Sequence, residues 1–368
     1  MSILTYRYRI KDATSGTHLR QMAGAIHDVW NYCKEVSLLA FRRDKTWLTA
    51  YDLHKLTAGT SKDLRLSADT IQQVCTEYAT RRRQCKKIKL TWRSRKRSLG
   101  WIPFKAAYIR LEDDTITYCG HRFRLWLSRP VEGGVKTGSF TQDARGLWYV
   151  NLQCDVADAA APVGQLDLGI DLGLTHQITC SDGVQYSRAN LTRRYEDALA
   201  MAQRAHKRRR VKKVQATIAN RRSDLTHKAT TAIARRAQLI IIGDVSSAKL
   251  VNTPFATSTY DAAWHRVRTQ LRYKAIKLAG VCVSGREAFS SVTCSGCGAR
   301  CGPRGLSGLG VRTWVCLCCG LMHERDVNAA RNILAFRSGR ATPSKGIPVL
   351  EGGEDVNTLL NIQECLRV

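Results

Sequence analysis

The chain has 368 residues, 44% apolar and 24% charged, enough for two or three domains with a sizeable core. Fifty-nine Lys and Arg against 30 Asp and Glu leave a formal charge of +29, a field that repels itself in a compact state and calls for a polyanion. A ribosomal-type or a basic membrane-surface protein is the plainer alternative, but no stretch approaches the roughly 20 apolar residues of a membrane span.

The opening Leu4–Ile10 alternates apolar and basic residues, as a half-buried strand does. Residues from about Ser15 to Phe41 place Met22, Ile26, Trp30, Cys33 and Leu38 near helical spacing, and a second helix is predicted from Ser67 to about Lys87. Strands are predicted at Ala107–Leu111, Thr115–Cys119, Arg122–Leu127 and Leu147–Cys154, which makes a small β-barrel with a helical insertion. The Ala-rich, Pro-containing stretch Val156–Val163 marks a domain boundary.

Beyond Gln165, QLDLGIDLGL and HQITC read as adjacent antiparallel strands ahead of a turn at Ser181-Asp182-Gly183. A long basic helical region covers about Asn190–Ala237, broken into a hairpin near Arg208–Lys213. Leu239–Ile242 fits a strand buried on both faces. Trp264, Val267, Leu271 and Leu278 share one helical stripe, Val281–Ser284 is a further short strand, and Val327–Phe336 is helical. The order strand, hairpin, helix, strand, helix predicts a mixed α/β sheet of the RNase H-like kind. Residues from about 337 have poor periodicity and are expected to form a loosely ordered tail.

The opening MSILTYRYRIKD lacks the apolar core of a signal peptide, so the 14 cysteines are expected in a reducing compartment, where clusters bind metal. Cys294 and Cys297, then Cys316 and Cys319, form C-x2-C-x18-C-x2-C with Gly296, Gly298 and Gly320 at the turns. Two thiolate pairs at this spacing close a tetrahedral, structural Zn²⁺ site. Cys301 and Cys318 are spare thiols beside it.

Two acidic residues stand out. Asp171 sits in the apolar strand Gly169-Ile170-Asp171-Leu172-Gly173, where a carboxylate needs a metal or a partner, or else caps a turn. Asp167 precedes it by four residues, nearer the strand's start. Asp326 opens a helix in His323-Glu324-Arg325-Asp326-Val327-Asn328-Ala329-Ala330-Arg331-Asn332, where a plain N-cap is the simpler role. Carboxylates converging on two hard cations about 3.5–4 Å apart are what phosphodiester hydrolysis at a two-metal site requires.

The order G-I-D-L-G, a long basic helical insert, a C-x2-C pair of knuckles and R-D-x-N-A-A-x-N-I resembles the TnpB family, transposon-encoded relatives of the type V CRISPR effectors. Trp30-Asn31 and Ile218–Lys228 add to the likeness, which runs from about residue 4 to 336. The resemblance implies a barrel with helical insertion at 1–160 that holds guide RNA and reads a short motif beside the target. It implies a RuvC-like nuclease domain at 161–336, with a zinc ribbon at 290–322, that cuts DNA with two Mg²⁺ ions. Its expected partners are a guide RNA from the transposon end and double-stranded target DNA, bound by a monomeric, cytoplasmic protein that joins the nucleoid when on DNA. The basic insert would then act as a lid over the heteroduplex.

One position departs from the family pattern. The Glu expected after the second RuvC strand is replaced by Gly243, in Ile240-Ile241-Ile242-Gly243-Asp244. Glu287 supplies the missing carboxylate, as relocated glutamates in relatives imply; or Asp244 does, from a bulge or strand end; or the chain binds DNA under RNA guidance without cutting. A junction nuclease or a transposase is disfavoured by the ribbon, the barrel and the lack of any joining chemistry. The runs Arg81–Arg97, with ten basic residues around Trp92, and Arg204–Lys213, with seven, are expected to meet phosphates. His176 and His323 lie near the acidic motifs in sequence and are expected to pack or hydrogen-bond.

Overall fold

The computed structural model describes residues 2–11, 13–84, 90–244, 262–305 and 307–335. The tail expected from 337, and the ends of the expected helices at Lys87 and Phe336, lie outside the described residues.

The first seven strands form one sheet: β1 (Ser2–Ile10), β2 (Trp101–Lys105), β3 (Ile109–Glu112), β4 (Thr115–Tyr118), β5 (His121–Trp126), β6 (Gly134–Gln142) and β7 (Trp148–Val156). Their order is β2-β6-β7-β1-β5-β4-β3, a nearly closed barrel whose two edges are joined in the chain by a 3-10 turn at Ala106–Tyr108. Period-two burial builds it: Tyr6, Tyr8 and Ile10 of β1 and Trp148, Val150, Leu152, Cys154 and Val156 of β7 point inward. The rings of Phe104, Tyr118 and Phe123 crowd Phe140 at 5.1, 5.6 and 5.2 Å. Two of these strands carry weak signals. Gly134–Gln142 buries Phe140 alone, and Trp101–Lys105 contains Pro103, tolerated because β2 is an edge strand.

Between β1 and β2 lie α1 (Ala13–Asp44), α2 (Ala50–Leu56), α3 (Ser61–Leu64) and α4 (Ala68–Gln84). The two long helices follow the expected apolar spacing, while α2 rests on a capping box formed by Thr49 and Asp52. Asn31 ties the segment beyond α4 to α1, donating to Arg93 O and accepting from Arg93 N, each at 2.8 Å.

Strand β7 ends at Val156 and the next, β8 (Leu166–Asp171), begins a second sheet with β9 (His176–Cys180), β10 (Gln185–Ser187), β11 (Ala237–Gly243) and β12 (Val281–Gly285). The order is β10-β9-β8-β11-β12; β8, β9 and β10 are antiparallel neighbours, whereas β11 runs parallel to both β8 and β12. Helices α5 (Leu191–Arg194), α6 (Glu196–Arg204) and α7 (Arg208–Arg236) cross from β10 to β11. The helical break falls at residues 205–207, just before the basic run. The strand β11 is central and apolar, with Ile240, Ile241 and Ile242 all buried. On α8 (Trp264–Lys277), Trp264, Val267 and Leu271 are buried, whereas Leu278 lies just past the helix end. A two-stranded hairpin, β13 (Thr313–Val315) and β14 (Met322–Glu324), leads directly into α9 (Arg325–Ala335). Among the described residues no helix is long and apolar enough to cross a membrane.

Candidate metal centre

The parallel register sets the geometry. Ile242 pairs with Ile170 across β11 and β8, so Asp171 stands level with Gly243; Gly243 pairs in turn with Gly285 of β12. In-register residues of neighbouring strands face the same way, so a side chain at 243 would stand beside that of Asp171. Glycine offers none. The carboxylate of Glu287, two residues past β12, fills that place instead: a β-carbon on residue 243 would lie 3.2 Å from Glu287 Oε2 and 3.3 Å from its Cδ.

Asp326 arrives from the other side. A β-carbon on Gly169 would meet Ala330 O at 2.0 Å, so the missing side chain lets the α9 backbone rest on β8. Asp171 lies two residues further along β8, a rise of about 7 Å. Asp326 lies one helical turn before Ala330, about 5–6 Å back along α9. The helix start carrying Asp326 is near enough to β8 for its charge to act on Asp171.

Asp171 is 9% exposed. Burial pushes its carboxyl up to about 8, with the charges of Glu287 and then Asp326 adding to the rise and Arg325 opposing it. A carboxyl held this way keeps its proton at neutral pH unless a compensating cation is present. The carboxyls of Glu287 and Asp326 both act on Asp171, an acidic neighbourhood of oxygen donors whose chemistry suits a hard divalent cation.

The other sequence candidates fall elsewhere. Asp244, one residue past β11, is exposed, and its Oδ1 accepts a hydrogen bond from Glu287 N at 3.1 Å. Asp167 stays exposed at the start of β8 and accepts from Gln238 Nε2. His176 opens β9, its carbonyl 2.8 Å from where a Gly173 β-carbon would be.

His323 belongs to the cysteine cluster. The Sγ atoms of Cys294, Cys297, Cys316 and Cys319 all lie within 4.8 Å of one another, with Cys294 to Cys319 at 3.7 Å and Cys297 to Cys316 at 3.6 Å. A tetrahedron of 2.3 Å Zn–S bonds has edges of about 3.8 Å, so the four sulfurs fit zinc. Gly298 (φ +80°) and Gly320 (φ +72°) turn the two knuckles, in the left-handed region that glycine tolerates. Buried His323 packs against Trp314 with the rings tilted by 36° and brings Nε2 to 3.0 Å from Cys294 Sγ. Of the spare thiols, Cys301 lies 3.2 Å from Cys316, and Cys301, Cys316 and Cys318 form a second, three-thiol group.

Two asparagines that the sequence reading used only as motif letters join the cysteine cluster to α9. Asn328 Nδ2 donates to Ser290 O at 3.3 Å and Thr293 O at 2.8 Å, and its Oδ1 accepts from Ser295 N at 2.8 Å. Asn332 Nδ2 donates to the same two carbonyls at 2.7 and 2.6 Å. The signal was their i, i+4 spacing, which puts both amides on one helix face.

Aromatic and basic groups interleave on the helical insertion. Lys34 lies 4.1 Å over the half-exposed Trp92 ring, Arg93 4.1 Å over Trp30, and Arg82 4.2 Å over Trp47.

The fold is thus a mixed sheet with a buried, acid-flanked Asp171 at the end of one strand, beside a cluster of four cysteines that suits a structural metal. Residues 264–333 match the family described as Cas12f1-like, TNB domain. The chain is 36% identical over 236 residues to a candidate RNA-guided DNA endonuclease of Streptomyces pristinaespiralis, covering 60% of this chain and 58% of the relative. It is 31% identical over 255 residues to InsQ of Escherichia coli (strain K12), described in the same terms, covering 61% and 62%. The chain thus spans about three fifths of the curated relatives it matches. A solved Cas12f1–sgRNA–target DNA complex aligns with 90% of this chain and 99% of its own at 14% identity and TM-score 0.36. A CRISPR–Cas12f ternary complex aligns with 87% and 81% at the same identity and TM-score. The sequence matches bear out the resemblance to the TnpB family.

Proposed function

We propose that the chain is an RNA-guided, metal-dependent DNA endonuclease with a RuvC-like catalytic domain. The observation that carries this reading is the acidic neighbourhood of buried Asp171, on which the charges of Glu287 and Asp326 act, with Glu287 standing where a side chain on residue 243 would stand. The strand order β10-β9-β8-β11-β12, antiparallel then parallel, is the arrangement expected of an RNase H-like domain. We assign residues 1–160 to the guide-holding barrel with its helical insertion and 161–336 to the nuclease domain, with Zn²⁺ held at 290–322 by Cys294, Cys297, Cys316 and Cys319.

Asp171, Glu287 and Asp326 would hold Mg²⁺, two ions in a complete site, which when bound activates water and stabilises the leaving oxygen of a phosphodiester. Asp171 supplies a carboxylate from a rigid strand, so its position changes little as substrate enters. Glu287 supplies the charge that Gly243 lacks. Asp326, in the first turn of α9, has its carboxylate beside the guanidinium of Arg312, 3.7 Å away. The basic faces of α4 and α7 and the exposed Trp92 ring are suited to phosphates and to a stacked base of guide or target. Base pairing with the guide then selects the target, and the protein reads duplex shape and a short flanking motif.

The test is cleavage of a plasmid library by the full chain co-expressed with the RNA of its transposon end, in Mg²⁺. Guide-dependent cutting that Asp171→Ala and Glu287→Ala each abolish is the expected result. Guided binding by the wild type with no cutting would replace the nuclease by an RNA-guided DNA-binding repressor.

A further inference from the structure

Asp244 has a place at the site that the three carboxylates do not explain. The β11–β12 ladder ends at the Gly243–Gly285 pair, so Glu287, two residues on, is no longer fixed by strand pairing. Its backbone N–H is satisfied instead from just past the end of β11, by Asp244 Oδ1 at 3.1 Å, across 43 residues of chain. Asp244 lies one residue past the end of β11, and its side chain is engaged with the Glu287 backbone. Arg268 of α8 holds the preceding residue: Nη2 donates to Gly243 O at 2.7 Å, and its half-buried guanidinium lies in the fields of both Glu287 and Asp244.

Resting on the three-carboxylate reading, we propose that Asp244 is a positioning residue, which holds the Glu287 peptide so that the Glu287 carboxylate stands beside Asp171. Arg268 anchors the strand end from which it acts. A glutamate carried on β11 itself would need no such support. One carried on the irregular segment after β12 needs its backbone pinned, and Asp244 makes such a bond.

The role demands an oxygen acceptor and not a charge, which separates it from metal ligation. Asparagine keeps the acceptor and loses the charge; alanine loses both. Binding of Mn²⁺ to the full-length, zinc-loaded chain, followed by electron paramagnetic resonance, reads the site without requiring cleavage. Asp244→Ala is expected to weaken Mn²⁺ binding about 10- to 100-fold, the usual effect of removing a group that orients a ligand. Asp244→Asn is expected to stay within about threefold of wild type, and Glu287→Gln to fall at least as far as Asp244→Ala. Thermal unfolding of each variant separates this loss from misfolding. If Asp244→Asn falls as far as Asp244→Ala, the carboxylate is itself a ligand and the proposal is wrong. It is equally wrong if Asp244→Ala binds Mn²⁺ like wild type. A wild-type chain that binds no Mn²⁺, or a Glu287→Gln variant that binds it normally, overturns instead the three-carboxylate site on which the proposal rests.

Discussion

Gly243 and Glu287 are complementary across two strands: residue 243 contributes no side chain, and Oε2 of residue 287 lies 3.2 Å from where its β-carbon would be. The carboxylate therefore reaches the face of Asp171 from the segment after β12 rather than from β11. The space is closed on its other side by Ile333 Cδ1, at 3.1 Å from the same point, so an added methyl group has nowhere to go without moving one of them.

Gly243→Ala should reduce cleavage at least tenfold and lower the unfolding midpoint as well, because the methyl presses on both the Glu287 carboxylate and the fully buried Ile333. Gly243→Glu in a Glu287→Gly background should regain part of the activity that Glu287→Gly loses. Rates for the two single variants and the double variant check this. A double variant no better than Glu287→Gly alone would mean that position 243 does not address the same site.

Asp171 predicts a pH dependence of stability. Its carboxyl titrates at about 8 in the folded chain, above the ordinary carboxylate value of about 3.9. Between these values the folded chain keeps a proton that the unfolded chain has released. The contribution of this group is thus complete below about pH 4 and is lost as pH rises toward 8, at about 1.4 kcal/mol for each unit of separation. Asp171→Asn, which cannot ionise, should raise the midpoint in Mg²⁺-free buffer at pH 8 and hardly at all at pH 4. Adding Mg²⁺ should shrink the difference at pH 8. Chemical denaturation at both pH values measures it.

In the cysteine cluster, Cys294→Ser or Cys316→Ser should lose the bound zinc and unfold residues around β13 and β14, whereas Cys301→Ser should keep one zinc per chain. His323 Nε2 lies 3.0 Å from Cys294 Sγ, close enough for its Nε2–H tautomer to donate to a zinc-bound thiolate. His323→Ala is therefore expected to weaken zinc about 10- to 100-fold without abolishing binding. Zinc content and competition with a chromogenic chelator test all four variants.

Asn332→Ala removes a buried amide from Ser290 O and Thr293 O and should cost about 1–3 kcal/mol. Asn332→Asp should be worse, since it turns a carboxylate oxygen toward two carbonyls. Because these bonds tie the cysteine cluster to the helix of Asp326, both changes should also reduce cleavage. Urea titration and cleavage rates on the same preparations provide the comparison.

Much of this was legible in the chain itself. Strong apolar periodicity gave α1, α4, β8 and β11, because a buried face leaves a repeating mark whatever surrounds it. The four cysteines announced themselves by spacing, since a tetrahedral site needs two closely spaced pairs. Elements whose burial comes from neighbours rather than pattern were missed: β2 with Pro103, β6 with Phe140 alone inward, the short β10, and α2 held by its cap. For the carboxylates, the sequence determined that Asp171 and Asp326 sit in unusual company and that residue 243 is glycine. The resemblance offered Glu287 or Asp244 for the vacant place; that the Glu287 carboxylate lies beside residue 243 while Asp244 stays exposed belongs to the tertiary structure. The parallel register of β8, β11 and β12 brings Asp171, Gly243 and Gly285 level, and the fall of the chain after β12 turns Glu287 back over Gly243. Register and loop path join residues more than a hundred positions apart, and no local pattern of side chains encodes them.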